Sequence, residues 1–101
     1  MAELRAEEEE AALRQGIVKK CKQMGFACRF VYESVVVSTR VSSWQFDYHG
    51  RLKTLRHEST DKVNFKTGDS TFTHEQFRDR KMSNDDMIDY IAAHDAWRAE
   101  Q

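Results

Sequence analysis

FACRFVYESVVVSTRVSSWQFDYHGRLKTLRH, residues 26–57, decides the fold, because most of it alternates in hydropathy with a period of two. Phe26, Cys28, Phe30 and Tyr32 alternate with Ala27, Arg29, Val31 and Glu33. Val35, Val37, Thr39 and Val41 then alternate with Val36, Ser38 and Arg40, and Trp44, Phe46 and Tyr48 with Ser43, Gln45 and Asp47. Successive side chains of a strand point to opposite faces, so this pattern predicts strands with one face packed and one wet. A single strand over 35–48 would run about 46 Å at ~3.3 Å per residue, too long for a small domain. The spacing therefore predicts a break at Ser42-Ser43. Gly50 can supply the positive φ that a tight hairpin needs, so His49-Gly50 is expected to turn the chain into Arg51–His57. Leu52 and Leu55 have opposite parity, which predicts a β-bulge or a strand covered on both faces.

Outward from this block, Ala2 to Met24 are strong helix formers, with Leu13, Ile17, Cys21 and Met24 on one stripe. Acids fill the first half and bases the second, as the helix macrodipole favours, and Gly25 is placed to stop it. Gly16 weakens the middle, so 1–12 is expected to fray or extend from the body. Beyond the hairpin, residues 58–69 read as a loop returning Val63 and Phe65 to the core, and Ser70 to Phe77 as a weaker strand. Ser83 then caps a second helix whose first turn carries Asp85 and Asp86 and whose apolar face is Met87, Ile88, Ile91 and Ala92. Tyr90 and Trp97 fall at the margin of that face. The expected fold is α+β: an antiparallel meander of four to five strands flanked by an N-terminal and a C-terminal amphipathic helix, in the order α-β-β-β-β-(β)-α. It is expected to form one domain over 1–101.

Six Phe, two Trp and three Tyr give so short a chain enough large rings for a core. The net charge of −1 conceals three blocks: −4 over residues 1–13, +7 over 14–81 and −4 over 85–101. Opposed blocks can steer partners or satisfy one another within the fold. Cys21 and Cys28, the only cysteines, make no disulfide framework, and their spacing is not that of a zinc pair. They read as two reduced thiols at a helix–strand corner. The longest aliphatic run is Val35-Val36-Val37, too short for a membrane span, and a cytoplasmic location is the expectation.

Three groups of residues merit testing as sites. Arg51, Lys53, Arg56, Lys62 and Lys66 supply the cations a nucleic-acid surface needs. The rings that would stack on bases are, however, those the sheet needs for its core. Leu4, Glu8 and Trp97 are candidate protein contacts, the first two on a helix long enough to pair with a second copy or a partner, the third near the end of the acidic last helix. His57, His74 and His94 could converge as an acid–base pair or metal ligands, though no HxH, HExxH or CxxC spacing accompanies them. No cofactor motif is present. The reading is a non-enzymatic binding or regulatory module with a protein partner or a second copy of itself, with nucleic acid as the alternative and a small histidine- or metal-dependent enzyme third.

Overall fold

A computed structural model describes residues 2–58, 72 and 74–100, with the side chains of 2–6 outside that description. Lys62, Lys66, Val63, Phe65 and the side chain of Leu4 therefore lie outside the described residues. The chain forms α1 (Ala2–Met24), β1 (Ala27–Val31), β2 (Ser34–Ser38), β3 (Ser43–Asp47), β4 (Leu52–His57), β5 (His74–Lys81) and α2 (Asn84–Ala99). The five strands make one antiparallel meander in the order β1-β2-β3-β4-β5, so the fold is α+β with a helix at each end.

Period two sorts the strands as the sequence predicts. Val35, Val37, Trp44, Phe46 and Leu55 share one face and are buried there with Ile17 and Cys21 of α1 and Met87, Ile88 and Ile91 of α2. Both helices thus lie on the same face of the sheet. Lys20 Nζ of α1 ties them together through Asp89 Oδ1 of α2 at 2.8 Å. The opposite face carries small and polar residues, Ser34, Ser38, Gln45 and Thr54 among them, with Val36 between Arg29 and Gln45 in register.

Three local details differ from the sequence reading. Tyr32 leaves the β1 alternation: with Glu33 it forms a two-residue hairpin loop, takes φ 56° and is 92% exposed. The β2–β3 break falls at 39–42 rather than at Ser42-Ser43. There the Thr39 hydroxyl accepts from the backbone N–H groups of Val41 and Ser42, at 3.0 and 3.1 Å. A side chain that bonds the backbone two and three residues on is a turn former in its own right. The last strand spans His74–Lys81, eight residues, and so runs beyond Phe77, with Gln76 unpaired in a bulge between Glu75 and Phe77; residues 70, 71 and 73 of the expected strand lie outside the described residues. A second shift falls between Lys53 and Leu55, while β4 itself alternates normally, with Leu52 exposed and Leu55 fully buried.

The helix starts follow the capping chemistry expected. Ser83 Oγ accepts from the Asp86 backbone N–H at 3.0 Å and opens α2. At the other end of the chain, α1 continues unbroken through Gly16 to Met24, and Gly25 at φ 77° closes it with a bond from its N–H to the Lys22 carbonyl. After the exposed Glu7, Glu8 and Glu9, α1 is pinned from Glu10 onward. Tyr48 Oη donates to Glu10 Oε1 at 2.9 Å, and Arg14 donates to both Tyr48 Oη and Glu10 Oε1. The Tyr48 hydroxyl, helped by the Arg14 guanidinium, holds the Glu10 carboxyl below the ordinary carboxylate range.

Cys21 and Cys28 face one another across the Gly25 corner as free thiols, Cys21 buried and Cys28 half-buried. Burial, with the Cys28 thiol beside it, pushes the Cys21 thiol up to about 12. Thiolate is the reactive form, so an aromatic disulfide reagent at pH 8 is expected to modify Cys28 and spare Cys21 until the chain unfolds. Equal rates at the two positions, read by mass spectrometry of the folded protein, would contradict this packing.

Candidate functional site

The end of the sheet where β4 finishes and β5 begins holds an open cleft of about 610 Å³. Its construction starts from one register. His57 of β4 pairs directly with His74 of β5 and with Trp44 of β3, so these three side chains share the inner face. The two imidazoles stack, 5.0 Å between centroids and 5° between planes. Trp44 meets His57 edge-on at 5.1 Å and, from the other side, His94 of α2 at 5.0 Å. The three histidines singled out in the sequence are therefore brought to one cleft, with the Trp44 ring between His57 and His94. Trp97 and Arg98 follow His94 at helical spacings of three and four and stand on the same wall.

What fixes α2 over this end of the sheet is Asp95, which the sequence reading did not single out. It is 3% exposed, and its Oδ2 accepts from the Trp44 indole Nε1 at 2.8 Å and from the Thr39 hydroxyl at 2.6 Å. One carboxylate thus joins the helix, the central strand β3 and the β2–β3 turn, and that turn delivers Val41 and Ser42 to the mouth of the cleft. A buried carboxylate is retained only where donors meet it. The sequence signal was available. Asp95 continues the Met87, Ile88, Ile91 stripe at a spacing of four, so it was bound to enter the core and to need a partner there.

His57 is the group whose acidity the site perturbs. Burial holds its pKa below 6.5; the Glu58 carbonyl at its Nδ1 acts the other way, and the charges of His74, Arg98 and His94 depress it further. The sign of the linkage follows. Protonation is easier in the unfolded chain, so the stability due to neutral His57 is complete above pH 6.5 and is lost as the pH falls through the lower folded-state value. Between pH 7.5 and 5 the melting temperature is expected to fall more in the native protein than in His57→Phe, which keeps a ring against Trp44. Parallel slopes in calorimetry would show that His57 does not titrate in this way.

Among the described residues no group of three or more His, Cys, Asp or Glu is arranged to hold a metal ion. The histidines meet through ring faces and edges rather than through convergent nitrogens.

The basic stretch fares differently. Arg51 and Arg56 are exposed, but Lys53 does not join them: it is 2% exposed on the inner face, and its Nζ donates to the Asp47 carbonyl at 2.9 Å. Burial lowers its pKa, with the Asp47 charge opposing. Parity decides this, since residues 53, 55 and 57 point inward together, while Arg56 points outward opposite Glu75. On α1, Glu8 is exposed. A second cleft, of about 400 Å³, lies between α1 at Leu13 and Gly16, the β3–β4 hairpin at Gly50 and the start of α2. No helix among the described residues is long and apolar enough to cross a membrane.

No family model, no curated protein and no solved structure matches the chain.

Proposed function

We propose that the chain is a small non-enzymatic binding module that docks a partner protein at the cleft between the β4–β5 end of the sheet and the second half of α2. The observation that carries this reading is the contrast between its two tryptophans. Trp44 is fully buried with its indole N–H on Asp95. Trp97 is 58% exposed at the cleft wall, its ring centroid 6.2 Å from that of His94 at 61°, and has no acceptor for its N–H among the described residues. A large ring left in water beside a ready-made recess is the composition of an interface anchor, which gains most from being covered. Val41, 40% exposed on the facing turn, extends the apolar rim.

The alternative, a nucleic-acid surface on 51–66, has less to draw on, because Lys53 is committed to the interior. A cytoplasmic setting fits the two free thiols.

The test is selection of peptides from a random display library on the immobilised full chain. Enriched peptides are expected to lose about 30-fold in affinity on Trp97→Ala, the equivalent of ~2 kcal/mol for an anchor residue. Failure to enrich any sequence, or enriched peptides that bind Trp97→Ala as well as the native chain, would overturn the proposal.

A further inference from the structure

Building on the reading of this cleft as the binding surface, we propose that it recognises a flat ring carrying an anionic oxygen group, with the ring against Trp97 and the histidines and the anion met by Arg98 and a protonated imidazole. The cleft volume, about 610 Å³, is within the range that small-ligand sites and side-chain pockets occupy. Its walls are rings: the stacked pair His57 and His74, and the edge-on series His94 and Trp97. Such walls favour a planar guest, because stacked and edge-to-face contacts are the preferred geometries of aromatic pairs.

The charges facing His57 set the sign of the polar group. From β5 comes His74, and from α2 come His94 and Arg98. Two carboxylates are near. Asp95 Oδ2 is occupied by Trp44 and Thr39, and its Oδ1 faces His94 Nδ1 at 3.4 Å. Glu58 stands exposed at the mouth and reaches His57 through its backbone carbonyl, at 3.3 Å. The cleft thus gathers imidazoles and a guanidinium whose mutual repulsion opposes protonation of His57. An entering anion removes that opposition. Binding then takes up a proton, so affinity rises as the pH falls through the range in which histidine charges. The guanidinium of Arg98 offers its planar fork to a carboxylate or phosphate at any pH.

A free aromatic acid and a partner segment with an acidic residue beside an aromatic one present the same chemistry, and matched probes separate them. Indole-3-acetate is titrated into the full chain against indole-3-acetamide, and the peptide Ac-Ala-Trp-Asp-Ala-NH2 against its Asn counterpart, by NMR at pH 5.5 and 8. At least one acid is expected to bind on the order of tenfold more tightly than its amide at pH 5.5. The gap should narrow at pH 8 and vanish there in Arg98→Gln, while binding of the amide is retained. Preference confined to the peptide assigns the anion to a protein partner. Preference confined to the free acid assigns it to a small molecule and counts against the protein-docking reading alone. Equal binding of acid and amide, a gap unmoved by pH, or no binding by any probe overturns the inference; peptides that still depend on Trp97 would leave the docking reading standing.

Discussion

Asp95→Ala is expected to destabilise the fold by about 3 kcal/mol, the effect of stranding a buried indole N–H together with the loss of a charge-assisted bond. The two donors on Oδ2 do not suffer equally. Thr39 has a second acceptor in the Ser42 carbonyl, 3.2 Å from its hydroxyl, and can turn to it. The Trp44 indole N–H, fully buried, donates to Asp95 Oδ2 at 2.8 Å. For a domain of this size each kcal/mol corresponds to roughly 4–8 °C, so a fall of about 12–24 °C in Tm is expected. Asp95→Asn keeps a carbonyl oxygen for the indole and should lose about 1 kcal/mol. Denaturant unfolding monitored by Trp fluorescence measures both, and an Ala variant no weaker than Asn would show that the indole bond is not what holds α2 in place.

The second large effect separates the two tryptophans. Trp44→Ala empties the space between β3, His57 and His94 and is expected to cost about 3–5 kcal/mol. Trp97→Ala removes an exposed ring and should change stability by no more than ~0.5 kcal/mol, while abolishing most of the affinity for selected peptides. The dissociation matters more than either value. Loss of binding in a variant that unfolds at the native temperature assigns Trp97 to recognition, whereas a Trp97→Ala variant as unstable as Trp44→Ala would assign it to the core.

Much of the fold was legible because the features that encode it are local. Alternation placed Val35, Val37, Trp44 and Phe46 inward, and Ser83 with Asp85 and Asp86 marked the start of α2; His49-Gly50 marked the place of the β3–β4 hairpin, but neither residue takes the positive φ expected of Gly50. Opposite parity of Leu52 and Leu55 reflects ordinary alternation in β4, with Leu52 outward and Leu55 inward; the register shifts come from extra residues in β5. The misreadings have long-range or chemical causes. Lys53 looked like a surface cation because Lys usually is one, yet its parity took it inward, where a long stem lets the ammonium reach the Asp47 carbonyl. Thr39 looked like a strand residue, and its hydroxyl instead organises the β2–β3 turn.

The site was legible only as a list of histidines. Their convergence depends on the pairing of His57 with His74, and on α2 crossing the same face so that His94 meets Trp44. No spacing within the chain states either fact. The bulge at Gln76 shows why: one residue more or fewer in β5 would reverse the faces of His74 and Phe77 relative to each other. Trp97 had been singled out for its place near the end of an acidic helix. Its proposed function rests instead on its exposure at the cleft wall, against the buried Trp44.

The central claim is that binding takes place in the ring-walled cleft. The most direct test is an amide and side-chain chemical-shift map of the full chain titrated with a display-selected peptide. Changes are expected to concentrate at Val41, Ser42, His57, Glu58, Gln76 and residues 94–98, with His57 taking up a proton on binding. Changes centred on Leu13, Gly16 and Gly50, or on the open sheet face at Arg29, Gln45 and Thr54, would contradict it.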